Sequence, residues 1–311
     1  MYPLKFENIY FNKLWGGDEF KFFRNNLPAG NTGESWDLSC HPKAISVISN
    51  GLYKGKKLNE IIELLGNELL GKELKGHTFP LLIKLINAKE NLSIQVHPDE
   101  EYAKFHEKDG GKNEAWYVMK ACVGACVVLG TKNCTKDNFV DRLRTGEIDK
   151  YLNIIPVKSG DVFYVKAGMI HGIGKGLIIA EIQQSSDITY RAYDYKRGRE
   201  LQVEKVIEAT DFSITGNKIT GKIYNYNGYK IINYITSNCF DIKIYDIYSR
   251  MFDTSSYERF HTFTCVEGEG IIKYKRGSVD IKIGESLLIP ATLGNYEIVG
   301  KLKLLKTVIL N

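Results

Sequence analysis

Four polar side chains in three short segments have the types and spacing of a metal site. Gln95 and His97 lie two residues apart in the run LSIQVHPD, so on a strand both side chains point to the same face. Glu114 directly precedes an apolar run, and His171 follows an Ala-Gly turn. Two imidazoles, a carboxylate and an amide oxygen suit Zn²⁺ or another borderline divalent ion and leave room for water or substrate oxygens.

Each of these residues alone has a simpler interpretation. Polar pairs two residues apart are common on half-solvated strands. A Glu before a strand usually faces solvent, and a single His is more often structural than ligating. No cysteine lies in these motifs, which argues against a purely structural zinc site. The convergence of three motifs is what predicts a metal centre.

A fourth segment is unusually polar for a strand-like stretch. It runs from 181 to 194 as EIQQSSDITYRAYD and contains Asp187 and Arg191. An arginine at such a place can bind phosphate through two hydrogen bonds or stabilise an oxyanion. The alternative is a surface ion pair between Asp187 and Arg191.

Short strands must position these residues, because most of the remaining sequence has a β-rich pattern with Gly and Asn turns. The predicted strands are Ile45–Ser49, Ala115–Met119, Asp161–Val165, Leu177–Glu181, Ile223–Tyr226, Lys230–Tyr234, Phe240–Ile247, Ile271–Tyr274 and Leu302–Ile309. Helical periodicity is confined to Leu58–Leu70, Thr135–Leu152 and Gln202–Thr210. Many short strands with few helices favour a sandwich or barrel.

An internal repeat predicts two related β units. Residues 160–171 (GDVFYVKAGMIH) align with residues 284–295 (GESLLIPATLGN), and the first copy carries the helical segment 135–152 as an insertion. The His171 turn matches the second cupin motif, with Lys166 where proline is usual. We therefore predict two cupin-type β-barrels (jelly rolls) side by side, a catalytic domain over 1–225 and a degenerate domain over 226–311. Asn295 occupies the position of His171, so the second barrel should lack metal ligands.

Together these motifs resemble type I mannose-6-phosphate isomerases, also called phosphomannose isomerases, in their short bacterial form. The resemblance rests on QVHPD, GKxEAWY, AGxxH and EIQQxSDxTYR, with LWGG at 14–17 and FPLLIK at 79–84, and it covers nearly the whole chain. It implies a cupin fold, one zinc ion per chain and interconversion of mannose 6-phosphate and fructose 6-phosphate through an enediol. The segment between Glu114 and His171 is too short for the helical domain of longer family members.

The resemblance also implies roles for particular residues. The metal ligands match Gln95, His97, Glu114 and His171, and the catalytic arginine matches Arg191. Substrate-pocket positions match Ser93 and Lys112, and we expect Lys112 to contact the substrate phosphate. Asp187 matches an acidic position considered in proton transfer. The general base stays open among Asp187, Lys84, Glu34 and His41.

Composition limits the partners of this chain. It has 311 residues and a formal net charge of +5, a scattered bias that suits an anionic small molecule and is too weak to indicate nucleic acid. We expect no membrane span and no secretory signal. Six cysteines without a CxxC pair indicate free thiols in a reducing cytoplasm. The oligomeric state stays open between monomer and homodimer.

Three rival functions are less well supported. A metal-dependent oxygenase would favour several His ligands around Fe(II), whereas this set includes Gln95. A non-catalytic sugar-binding cupin would have lost its metal ligands. Nucleic-acid binding through Lys- and Tyr-rich strands has little support, because tyrosine is also a good strand former.

Overall fold

The computed structural model describes residues 1–25, 27–74, 76 and 79–309. Over these residues the chain is mainly β, with twenty strands, five α-helices and three short 3₁₀ helices. None of the described helices combines the length and the apolar character that crossing a bilayer requires.

The first twelve strands span the segments that contain the predicted site. In chain order they are β1 (Leu4–Lys5), β2 (Ile9–Gly17), β3 (Thr32–Ser39), β4 (Leu81–Ala88), β5 (Ile94–Val96), β6 (Glu114–Ala121), β7 (Cys126–Thr131), β8 (Leu152–Pro156), β9 (Val162–Val165), β10 (His171–Ile173), β11 (Leu177–Gln184) and β12 (Tyr190–Tyr193). The remaining strands are β13 (Lys222–Tyr226), β14 (Tyr229–Thr236), β15 (Asp241–Ile247), β16 (Arg250–Thr254), β17 (His261–Tyr274), β18 (Gly277–Lys282), β19 (Ser286–Ile289) and β20 (Asn295–Val308).

The helices are short and lie in the connections between strands. The α-helices are α1 (Leu58–Leu65), α2 (Asn67–Leu70), α3 (Glu100–His106), α4 (Lys136–Thr145) and α5 (Val203–Ala209). The 3₁₀ helices are Glu19–Phe22, Lys72–Leu74 and Asp149–Tyr151.

The strands form three antiparallel sheets. The six-stranded sheet has the order β2-β3-β4-β11-β6-β9, and the five-stranded sheet has the order β12-β5-β10-β7-β8. The large sheet has the order β1-β19-β17-β20-β15-β14-β13, with β16 paired to β20 and β18 paired to β17. The N-terminal strand β1 and strand β13 thus belong to the large sheet.

Apolar side chains join the six- and five-stranded sheets through one core. Trp116 and Phe163 from the six-stranded sheet pack with Val127 and Ile173 from the five-stranded sheet, and all four are buried. The large sheet has an apolar cluster of its own, and a third cluster joins it to the six-stranded sheet. The predicted site residues lie where the six- and five-stranded sheets face each other.

A polar network crosses the apolar cluster of the large sheet. His261 Nε2 lies 2.6 Å from the hydroxyl of Tyr296, which donates to Asp253 Oδ2 at 2.6 Å. Lys306 Nζ donates to the same carboxylate oxygen at 2.7 Å. Burial opposes ionisation of Asp253, but the charge of Lys306 outweighs it and lowers the pKa of that carboxyl. The ion pair satisfies both charges away from water.

The three predicted helical segments are helical over most of their length. Gly66, with φ 47° and ψ −116°, divides the first into α1 and α2. The second begins after the N-cap Thr135, whose side chain accepts from the backbone of Asn138, and ends at Gly146 in the left-handed region. The rest of that segment forms a 3₁₀ turn and the first residue of β8.

The strand predicted over Ile45–Ser49 is wrong. Only two isolated bridges form there, Val47 with Lys57 and Ile48 with Phe6. The backbone of the segment bonds to different parts of the chain, with Ser46 N donating to Ser39 O at the end of β3 and Ile48 N donating to Lys56 O, both at 2.9 Å. The apolar side chains of this segment contribute to packing, since Ile48 is fully buried.

Candidate active site

Two neighbouring strands of the five-stranded sheet carry three of the predicted ligands. Gln95 lies in β5 and is the direct cross-strand partner of His171, the first residue of β10. His97 directly follows the last residue of β5, two positions after Gln95, and Pro98 comes next and ends the strand pattern. The alternation of a strand therefore turns Gln95 and His97 to one face, as the spacing predicts.

The fourth predicted ligand comes from the opposite sheet. Glu114 begins β6 and pairs with Val165 in β9 and Gln183 in β11. His97, Glu114 and His171 are each about 1% exposed, and their ligating atoms lie within 4.8 Å of one another. His97 Nε2 is 3.1 Å from Glu114 Oε1, and His171 Nε2 is 4.0 Å from Glu114 Oε2.

Both imidazoles are held in the form that binds metal. His97 Nδ1 donates to the carbonyl oxygen of Ile188 at 2.7 Å, and His171 Nδ1 donates to that of Met169 at 2.8 Å. Each Nε2 is then unprotonated and turned toward Glu114. Burial lowers the pKa of His97 to about 3 and lowers that of His171, so both rings stay neutral. Backbone carbonyls that fix the ring in this way are usual around metal-bound histidines.

Gln95 lies at the edge of this cluster. Its Nε2 is 3.3 Å from His171 Nε2, and its Oε1 accepts a hydrogen bond from Ser93 Oγ at 3.1 Å. An amide ligand binds metal through oxygen, which a half-turn about the last side-chain torsion would direct at the cluster. Ser93 is buried and faces the cleft described below.

The ammonium group of Lys112 lies against the ligand atoms. Its Nζ is 2.7 Å from Glu114 Oε1 and 3.1 Å from His97 Nε2. Burial opposes ionisation of Glu114, but the charge of Lys112 outweighs it and holds the pKa of Glu114 well below its usual range. The cluster is therefore a buried carboxylate and two neutral imidazoles that attract a cation. This donor set fits a borderline divalent ion such as Zn²⁺.

A polar cleft of about 380 Å³ opens above the cluster. Its lining has six cationic and four acidic side chains, so it carries a net positive charge: Lys13, Lys43, Lys84, Lys112, Arg191 and Arg199, with Glu34, Glu114, Glu181 and Asp187. Its size and polar lining suit a small phosphorylated sugar.

Arg191 is a cation of this cleft that has no acidic partner among the described residues. Its Nη1 donates to the carbonyl oxygen of Glu200 at 2.8 Å, and its buried Nε makes no hydrogen bond within the described residues. Asp187 pairs instead with Lys43 at 2.5 Å and with Lys84 at 3.8 Å. The alternative of a simple Asp187–Arg191 ion pair therefore does not apply to this structure.

The carboxylates of the cleft differ in basicity. Burial opposes ionisation of Asp187, but the charges of Lys84 and Lys43 outweigh it and lower the pKa to about 2. Burial and the negative charge of Glu114 raise the pKa of Glu181 to about 7. A general base works best with a pKa near the working pH, so Glu181 is better suited to proton transfer than Asp187.

The other base candidates are less suited to this task. Burial opposes protonation of Lys84, but Glu34, Glu181 and Asp187 outweigh it and raise the pKa, which keeps the amine charged. Glu34 is paired with Lys13 at 2.8 Å and accepts from Trp36 Nε1. Burial opposes ionisation of Glu34, but the charges of Lys84 and Lys13 outweigh it and lower the pKa. His41 does not line the cleft.

Sequence reasoning missed Glu181 as a site residue. Glu181 lies opposite Lys84 in β4 and Trp116 in β6, and Trp116 Nε1 donates to both Glu181 and Glu114 at 3.0 Å. A charged residue at the end of the apolar run LIIAE was the available signal. Glu181 Oε1 also lies 3.7 Å from Lys84 Nζ, and a buried acid is seldom found without such a partner.

Comparisons with known proteins match nearly the whole chain. The model of the phosphomannose isomerase type I catalytic domain matches residues 4–118, and that of the mannose-6-phosphate isomerase cupin domain matches residues 230–309. The chain is 35% identical to a mannose-6-phosphate isomerase from Streptococcus mutans over 97% of both chains. It is 34% identical to the mannose-6-phosphate isomerase ManA of Bacillus subtilis over 96% of both. The crystal structure of a Bacillus subtilis mannose 6-phosphate isomerase superimposes with a TM-score of 0.93 at 32% identity, covering 99% of both chains.

Proposed function

This chain belongs to the type I phosphomannose isomerase family, and we propose that it interconverts mannose 6-phosphate and fructose 6-phosphate in the cleft above Glu114 with the help of one divalent metal ion. The observation that carries the proposal is the buried cluster of His97, Glu114 and His171 beneath a cleft of net positive charge. Relatives that are named for this activity and match along nearly the whole chain support it.

We propose Zn²⁺ as the metal, held by His97, Glu114, His171 and the amide oxygen of Gln95. When bound, the ion supplies Lewis-acid polarisation of sugar oxygens and a fixed point for orienting the substrate. The nitrogen and oxygen donor set supports zinc, and both imidazoles are already unprotonated at Nε2. The ammonium group of Lys112 must move when the metal binds, because it lies against the same ligand atoms.

The proton transfer needs a base beside the two reacting carbons. Glu181 is buried, and its raised pKa allows it to take a proton from the carbon next to the carbonyl and return it to the neighbouring carbon. Asp187, which the family resemblance implies, is held as a weak base by its lysines. We therefore propose Glu181 as the proton-transferring group, with Asp187 positioning Lys84 and Lys43.

The negative oxygen that develops during the transfer needs a fixed cation. We propose that Arg191 stabilises this enediolate, which its unpaired guanidinium in the cleft supports. Ser93 and Lys112 are proposed to contact the substrate.

We further propose that the six- and five-stranded sheets form one cupin barrel and that the large sheet forms a second barrel without metal. The equivalent starts of β10 at His171 and β20 at Asn295 support this repeat. The boundary near residue 225 is also a proposal. The six unpaired cysteines suit an enzyme of the reducing cytoplasm.

One experiment tests the function directly. Mannose 6-phosphate is supplied to the purified protein, and fructose 6-phosphate is measured through a coupled assay before and after treatment with a chelator. We expect turnover that the chelator abolishes and that added Zn²⁺ restores. Turnover that persists without metal would support the isomerase activity and refute its dependence on a metal. No turnover in the metal-loaded protein would refute the function.

A further inference from the structure

A second polar cavity lies beside residues 112–114, between the six-stranded sheet and the large sheet. Its volume is about 520 Å³, and it is lined by Asn113, by Lys166 after β9 and by residues 234–239 at the end of β14. The described lining residues are hydroxyl, amide, apolar and cysteine side chains with one lysine, and none of them is acidic. A positive, carboxylate-free lining of this kind favours an anion.

Lys166 supplies the charge of this cavity. It occupies the motif position where proline is usual, so the family fold does not need a cation there. The side chain is exposed, and no carboxylate of the described residues lies within 4.0 Å of its ammonium group. Its charge is therefore available to a ligand.

Neutral donors lie in the same wall of the large sheet. Tyr234 and Asn238 line the cavity, and neither side chain makes a hydrogen bond within the described part of the chain. Phosphate groups are commonly bound by one cation together with such neutral donors.

The cavity is connected to the metal ligands through Asn113, which lies between Lys112 and Glu114. Its Nδ2 donates to Gln184 Oε1 at 2.7 Å, and its Oδ1 accepts from Ala167 N at 3.1 Å. Asn113 thus ties the start of β6 to the residue that follows Lys166. A ligand bound at Lys166 would contact the same hydrogen-bonded unit that fixes Lys112 and Glu114.

We propose that this cavity is a second anion site, distinct from the catalytic cleft, that takes a phosphate group either free or as the monoester of a small metabolite. Lys166 is its cation, and Tyr234 and Asn238 are its neutral donors. A bound phosphate adds negative charge next to residues 112–114. It therefore weakens the attraction of the cleft for the anionic substrate and, more strongly, for the enediolate that forms from it, so that KM rises and kcat falls. The ligand therefore acts as an inhibitor that excess mannose 6-phosphate does not fully displace.

Isothermal titration of the metal-loaded enzyme with inorganic phosphate tests the site, with glycerol 3-phosphate in a second series. We expect two phosphates per wild-type chain, one in the cleft and one at Lys166. Lys166→Ala should weaken the second site by at least about tenfold, the scale of one charge-assisted hydrogen bond. Lys158→Ala removes an exposed lysine outside the cavity and should leave both sites intact.

Asn238→Asp is a second variant. It keeps the size and shape of the side chain and places a negative charge in the cavity wall. It should also abolish the second site. Tighter binding of glycerol 3-phosphate than of phosphate at that site would identify a metabolite ester, and equal binding would identify free phosphate.

Steady-state kinetics in the same samples give an independent measure. Phosphate should lower kcat as well as raise KM in the wild type and in Lys158→Ala, and should become purely competitive in Lys166→Ala. A single phosphate per active wild-type chain, or a second phosphate that survives both cavity variants, would overturn the proposal. Because mannose 6-phosphate turnover is measured alongside, either result leaves the isomerase function intact.

Discussion

Replacing Arg191 by Ala separates a catalytic arginine from a structural one. The guanidinium makes one hydrogen bond, to the carbonyl of Glu200 at 2.8 Å, and has no carboxylate within 4.0 Å among the described residues. Burial and the charge of Arg199 lower the pKa of Arg191, so the group lies in a repulsive field. The backbone of Arg191 is held independently, because its N–H donates to Gln202 Oε1 at 2.8 Å.

These contacts set the expected magnitudes. Truncation removes a net contribution of about 0.5–1.5 kcal/mol from one hydrogen bond, and relief of the repulsion offsets part of that loss. The free energy of unfolding should therefore change by about 1 kcal/mol or less. If Arg191 stabilises the enediolate, kcat should fall about a hundredfold to a thousandfold, which corresponds to about 2.7–4 kcal/mol of transition-state stabilisation. The loss in activity then far exceeds the loss in stability.

The assay combines steady-state kinetics, metal content and urea unfolding on three variants. Arg191→Ala should retain metal and fold normally, and Arg191→Lys should recover only part of kcat, because a flexible ammonium does not reproduce the planar fork. Arg142→Ala is the matched control, since Arg142 also donates at 2.8 Å to one acceptor, Glu147, outside the cleft. A kcat within about threefold of wild type in Arg191→Ala would refute the catalytic assignment and leave the metal site untouched.

Four further predictions concern single side chains. His97→Ala should remove most of the bound metal, because it deletes a strong ligand, and unchanged metal content by mass spectrometry would count against the proposed ligand set. Lys112→Ala should raise KM more than it lowers kcat if the ammonium contacts a phosphate remote from the reacting carbons; a large loss of kcat at constant KM would place it in the chemistry. Glu181→Gln should lower kcat about a hundredfold to ten-thousandfold. In the wild type, kcat/KM should rise with pH as Glu181 loses its proton, and the same rise in the variant would exclude Glu181 as the base. Asp253→Asn should lower the free energy of unfolding by about 3–5 kcal/mol, because it leaves the buried charge of Lys306 without the carboxylate that neutralises it. Adding Lys306→Met should restore much of the loss, and a loss under about 1 kcal/mol in urea would show a solvated pair.

Residue types and short spacings in the sequence were enough to predict the metal-ligand candidates. Gln95 and His97 share a face because strand alternation is a local property, and the Ala-Gly turn before His171 is local as well. The helix ends at Gly66 and Gly146 follow from glycine's access to backbone conformations that other residues avoid. The same local signals failed at Ile45–Ser49. Composition favoured a strand there, whereas the backbone hydrogen bonds of the segment go to separate parts of the chain.

Only the tertiary structure decided which groups act on one another. Glu181 meets Glu114 through the register of β11 against β6, and Lys43 reaches Asp187 across 144 residues of chain. Neither contact has a sequence signature, because cross-strand register depends on hydrogen bonds between segments remote in the chain. The difference in basicity between Glu181 and Asp187 is likewise a property of burial and neighbouring charge, since the two carboxyl groups are chemically alike until the fold surrounds them.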